Sequence, residues 1–124
     1  MTSESFDRHV RRADQHIVEP KPWGQLEWAV SAQIGNSETM TIGTCFIHTG
    51  QQNGRHYHPN CDEVLQVVKG RIIHSWNEFE REMGEGDVVS IPQGVLHNAR
   101  NIGDDTAILA IAFSSAHREA VDAD

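Results

Sequence analysis

Three histidines and a glutamate are the residues best placed to do chemistry. In the run Gly50-Gln-Gln-Asn-Gly-Arg-His56-Tyr-His58-Pro-Asn-Cys-Asp-Glu63, two imidazoles are separated by one residue. Side chains on an extended chain alternate with a period of two, so His56 and His58 point to one side and Tyr57 to the other. They can therefore grip one ion. Neutral imidazole nitrogen suits borderline divalent transition metals, and a carboxylate such as Glu63 adds a hard anionic oxygen that offsets the ion's charge. Pro59-Asn60-Cys61-Asp62 reads as the turn that returns Glu63 on an adjoining strand. Asp62 is the neighbouring competitor, its ordinary role being turn formation, and Cys61 is a conceivable sulfur donor that the spacing fits less well. The remaining imidazole, His97, follows Gly86-Asp-Val-Val-Ser-Ile-Pro92-Gln-Gly94-Val-Leu. There Val88, Val89 and Ile91 form a buried strand, Pro92-Gln93-Gly94 makes the turn, and His97 opens the next strand.

The elements that must position these residues are strands. Segments 26–34, 39–48, 63–69, 71–77, 87–91 and 106–113 are short, rich in Val, Ile, Thr, Phe and Trp, and separated by Gly, Asn, Asp or Pro. In the second, Met40, Ile42, Thr44, Phe46 and His48 share one face while Thr41, Gly43, Cys45 and Ile47 share the other. Both faces are largely apolar, which predicts burial on each side. Short strands with regular turns between them indicate an all-β sandwich or barrel, and no long amphipathic helix competes. At 124 residues the chain is about one domain. We divide it into an N-terminal arm over 1–20, disordered or serving as an edge strand or swapped dimer contact, a barrel over 21–114, and a polar tail over 115–124.

On these residues the sequence resembles the cupin superfamily, as a small single-domain member with both motifs complete. The first motif, G-x5-H-x-H-x4-E-x6-G, is met by Gly50, His56, His58, Glu63 and Gly70; the second, G-x5-P-x-G-x2-H-x3-N, by Gly86, Pro92, Gly94, His97 and Asn101. The spacer from Arg71 to Glu85 suffices for one hairpin. The resemblance implies a jelly-roll β-barrel of two antiparallel sheets, with His56, His58, Glu63 and His97 directed inward at one divalent metal ion and Asn101 in a structural role. Four protein ligands leave one or two open positions on a five- or six-coordinate ion, which favours Fe, Mn, Ni, Co or Cu over closed tetrahedral Zn.

Other residues bear on what the cavity does. Ile72, His74 and Trp76 share a strand face, so His74 projects toward the cavity as a general base or substrate donor, or else is a hydrogen-bonded barrel histidine. Trp76 has the best aromatic claim to substrate contact. His48 either lines the mouth or faces water at a strand end. Arg55 and Arg100 flank the ligand strands and are candidates to hold a carboxylate bidentately, with surface exposure the simpler account. The reading is a metal-dependent enzyme acting on a small organic molecule that coordinates the ion, with dioxygenase chemistry first. The alternatives are isomerase, decarboxylase or lyase chemistry through His74, or a metal-dependent binding module without catalysis. No Ser-His-Asp or Cys-His nucleophile motif and no phosphate-cradling loop is present.

Partner classes narrow on charge. Ten Lys and Arg stand against eighteen Asp and Glu, a formal charge of −8 that disfavours nucleic acid and anionic membrane surfaces as partners. No apolar run reaches membrane-spanning length and no secretory leader pattern opens the chain, so a cytoplasmic setting is the expectation. Cys45 and Cys61 form no disulfide framework. A homodimer is expected on family resemblance.

Overall fold

The computed structural model describes residues 2–123. A short helix α1 (Ser3–His9), capped by the Thr2 hydroxyl accepting from the Ser5 N–H, precedes eleven strands. These are β1 (Ile17–Lys21), β2 (Gly24–Val30), β3 (Thr41–Ile47), β4 (His56–Tyr57), β5 (Glu63–Lys69) and β6 (Ile72–Trp76). They continue as β7 (Phe79–Met83), β8 (Val88–Ile91), β9 (His97–Asn101), β10 (Ala107–Phe113) and β11 (Val121–Asp122). Two antiparallel sheets form, one ordered β1-β2-β3-β10-β5-β8 and the other β11-β4-β9-β6-β7. The result is a jelly roll, the two-sheet arrangement expected.

All six segments expected to be strands carry one. The first begins and ends earlier than expected, because Asn36 takes the Ser31 N–H and donates to the Ala29 carbonyl, turning the chain after Val30. The 1–20 boundary falls inside β1, an edge strand whose Pro20 sits where a missing ladder donor is tolerated. Strand β11 was not legible, being a dipeptide in a polar run; β4 matches the extended segment read at His56–His58, and β7 was legible only as the second arm of the hairpin, because it is exposed except at Met83 and no alternation marks it.

The alternation in β3 is correct, but burial on both faces is not. Thr41, Gly43, Cys45 and Ile47 are buried, whereas Ile42, Thr44 and Phe46 are only half-buried. The physical reason is that β3 and β10 lie in one layer, with the second sheet covering a single side. Between the sheets pack Ile47, Val67, Ile72, Ile91 and Leu109, all essentially inaccessible. Close packing also fixes the edge of β2. A Cβ at Gly24 would stand 1.9 Å from the Phe46 carbonyl oxygen, with the β2–β3 ladder directly beside it. Gly24→Ala is therefore expected to lower stability by at least about 3 kcal/mol, read by thermal or chemical unfolding; an unchanged midpoint would contradict this packing.

Candidate metal centre

The second sheet supplies the imidazoles and the first supplies the carboxylate. His56 on β4 lies directly across from His97 on β9, and His58 follows one residue past β4. Glu63 opens β5, opposite Phe113 of β10 and Ile91 of β8. The turn before His97 is fixed by Gly94, at φ 87°, whose N–H donates to the His58 carbonyl at 3.0 Å. Asn101, buried, donates to the Ile47 and Asp105 carbonyls and accepts from the Gly103 N–H, so its contacts are all within the scaffold.

One ligand atom from each of His56, His58, Glu63 and His97 lies within 4.8 Å of all the others, a grouping that could hold a metal ion. Each ring's Nδ1 sits 2.8 Å from a backbone carbonyl: Gly54 for His56, Glu119 for His58 and Val95 for His97. Those contacts require Nδ1–H, which leaves Nε2 with its lone pair in the neutral ring. Yet the Nε2 atoms of His58 and His97 face the same Glu63 oxygen at 3.1 and 3.0 Å. Acceptors converging on a carboxylate repel unless a cation or a proton lies between them, so the donor set fits a divalent ion. Burial pushes the Glu63 carboxyl up, but the His58 and His97 rings beside it prevail and hold it at about 2. Burial, then His97, brings His56 down to about 4. A neutral imidazole and an ionised carboxylate are the states that ligation needs.

Beside the cluster opens a cavity of about 520 Å³. His56, Glu63 and His97 reach it; apolar walls come from Leu26, Leu65, Leu109, Ile111 and Phe113. His74 lines it too, its ring stacked on His97 at 5.8 Å between centroids. Burial first and His97 second bring His74 down to about 4, so it is neutral near pH 7. Its Nε2 has no hydrogen-bond partner among the described residues.

Several expected positions lie elsewhere. His48 is exposed past the end of β3, its N–H held by the Trp23 carbonyl, and does not line the cavity. Trp76, on the same face of β6 as His74 and paired in register with His97 of β9, is half-buried and does not line the cavity. Arg55 is exposed and donates to the Asn77 carbonyl; Arg100 lies outside the lining as well. Asp62 caps the adjoining turn by accepting from the Gln93 N–H. Cys61 is buried, outside the cluster, and burial pushes its thiol up.

The arginine that does line the cavity is Arg118, from the segment read as a polar tail. Ala116 of that segment is buried, β11 pairs with β4, and the Asn60 amide clasps the His117 carbonyl and the Glu119 N–H at 2.8 and 3.1 Å. Residues 115–123 thus form a strap across the His56–His58 strand. No hydrophobic alternation in Ser-Ala-His-Arg-Glu-Ala-Val-Asp signals this, because the strap is held by polar groups far away in sequence.

A two-sheet jelly roll enclosing three imidazoles and a carboxylate defines a metal-site barrel of the cupin kind. The family model described as cupin domain matches residues 43–113, and the chain belongs to that family. Among its relatives, germin-like protein subfamily 3 member 2 of Arabidopsis thaliana is 34% identical over 84 residues, covering 60% of this chain and 37% of the relative. Among solved structures, oxalate decarboxylase from Bacillus subtilis superposes with a TM-score of 0.78 at 22% identity, over 86% of this chain and 29% of that one. An oxalate oxidase in complex with glycolate gives 0.64 at 23%, over 67% and 45%. The structural likenesses carry the fold alone. The chain spans less than half the length of each of these three proteins.

Proposed function

We propose that this protein is a metal-dependent enzyme acting on a small organic molecule that binds directly to an ion held by His56, His58, Glu63 and His97. The observation that carries this reading is the placement of His74, buried and with an unpartnered Nε2, in the same cavity as the cluster. A divalent ion held by His56, His58, Glu63 and His97 would supply Lewis acidity and, if redox-active, one-electron chemistry. The protein's own part is to orient the substrate between apolar walls, to exclude water there, and to take or give a proton at His74 Nε2. Oxidative, dioxygenase-type turnover is the first reading. Proton transfer at His74 also supports a decarboxylase or isomerase, and the likeness to oxalate decarboxylase and oxalate oxidase makes small organic acids the first substrates to try.

Anaerobic reconstitution with Fe(II) or Mn(II), followed by measurement of oxygen uptake and product release over a panel of small organic acids, tests the proposal. Oxygen-linked consumption supports the first reading; consumption without oxygen transfers support to non-oxidative chemistry. Chelator-sensitive binding with no consumption under any metal would make the protein a binding module. For the enzyme readings, His74→Gln is expected to cut turnover by roughly 100-fold or more while leaving metal content unchanged. Full activity in that variant would remove His74 from the chemistry.

A further inference from the structure

We propose that Arg118 makes the cavity a carboxylate-binding site, and that the molecule it receives is an organic acid with an apolar body rather than a two-carbon diacid. This deepens the reading of the cavity as a small-molecule site and rests on it. Among the described residues three buried side-chain nitrogens lack a hydrogen-bond partner, and two of them, His74 Nε2 and Arg118 Nε, belong to residues lining this one cavity.

Arg118 is held by construction rather than by chance. The Asn60 amide fixes the residues on either side of it, and its guanidinium stacks over the rings of Trp28 and Phe113, at 4.7 and 5.0 Å from their centroids. Contact with the two rings engages the charge but satisfies no N–H of the guanidinium fork, and the Nε is buried without a hydrogen-bond partner. Arg118 makes no ion pair among the described residues. The acids that share the cavity are otherwise engaged: Glu63 with His58 and His97, and Glu19 with the Trp28 Nε1 and Lys21 Nζ at 3.0 and 2.8 Å. Asp122 is exposed and paired through its backbone to β4. An acceptor from outside is therefore the missing partner.

The rest of the lining sets the ligand's body. Leu26, Leu109 and Ile111 present apolar surface, and a volume of about 520 Å³ is far more than a two-carbon acid fills. An aliphatic or aromatic carboxylate satisfies both the cationic fork and the apolar walls. The protein's overall charge of −8 opposes anions in general, so selective uptake of a carboxylate has to come from a local group.

The test is calorimetric titration of the metal-free full chain with hexanoate and benzoate, against hexanol, benzyl alcohol and oxalate. Wild type is expected to bind hexanoate or benzoate at least about tenfold more tightly than the matching alcohol and than oxalate. Arg118→Gln is expected to erase the preference over the alcohol, and Arg118→Lys to keep part of it, since charge is retained while the fork is lost. Quenching of tryptophan emission gives a second readout, because Trp28 lies beneath the guanidinium and Trp23 lines the cavity. A wild type without carboxylate preference, or an Arg118→Gln chain that retains it, overturns the inference. Metal content, measured separately, judges the metal site: loss of metal binding in wild type would sink that reading while the metal-free titration still decides the role of Arg118.

Discussion

Glu63→Gln is expected to lower metal affinity by more than about 100-fold, beyond the 10- to 100-fold associated with losing a group that merely orients a ligand. Glutamine keeps the shape of the side chain but removes the one anionic donor among the four. The same substitution is expected to lower the stability of the metal-free protein at neutral pH, because a carboxyl held at about 2 by His58 and His97 contributes stability that an uncharged amide does not. The two proteins should then separate on adding Co(II) or Zn(II). A ligand that binds only the folded state at about 100 times its dissociation constant stabilises by about 2.7 kcal/mol, which corresponds to a rise of roughly 10 °C in melting temperature for a chain of this size. Wild type should show that rise and the variant little of it. Equal metal retention in both would mean that Glu63 is not a ligand.

Removing residues 117–124 should be nearly as costly to the site, although no residue in that stretch belongs to the ligand set. The Glu119 carbonyl is the partner of His58 Nδ1 at 2.8 Å, and β11 backs the β4 strand that carries His56. Without them the His58 ring loses the hydrogen bond that sets its tautomer and orientation. Metal affinity is expected to fall by about 10- to 100-fold. Asn60→Ala is a gentler form of the same experiment, since it releases the clasp on the His117 carbonyl and the Glu119 N–H while leaving the chain intact. It should lower stability by about 1–2 kcal/mol and weaken the metal by a smaller factor. Titration of both variants with a metal indicator would decide the matter. Wild-type affinity in the truncated chain would show that the strap does not hold His58.

The strands, their turns and the His56–His58 pair were legible because their signals are local, while the jelly roll and the four-residue set were legible through the spacing of the two cupin motifs. Period-two alternation marks strands such as Glu63–Lys69 and Ala107–Phe113, and glycine and proline mark the corners between them. The His56-x-His58 pair needs only an extended backbone to share a face. His48 and Trp76 show where that reasoning stops. Facing is a property of the strand, but whether a given position reaches the cavity is not: His48 lies one residue past β3, and Trp76, although paired with His97, does not line the cavity.

By itself, then, the sequence determined that the chain folds as a two-sheet β-barrel and which imidazoles and carboxylate have the spacing to meet. Local periodicity and turn chemistry carry the sandwich-or-barrel class and the shared face of His56 and His58; the two-sheet jelly roll and the convergence of Glu63 and His97 rest on the resemblance to the cupin motifs. Only the tertiary structure decided that Glu63 comes from the sheet opposite the histidines, that Glu119 orients His58, and that the arginine in the cavity is Arg118 rather than Arg55 or Arg100. Those relations join residues as far apart along the chain as Trp28 and Arg118. They are made by backbone carbonyls, a single asparagine clasp and stacking on Trp28 and Phe113, none of which leaves a periodic trace in the chain.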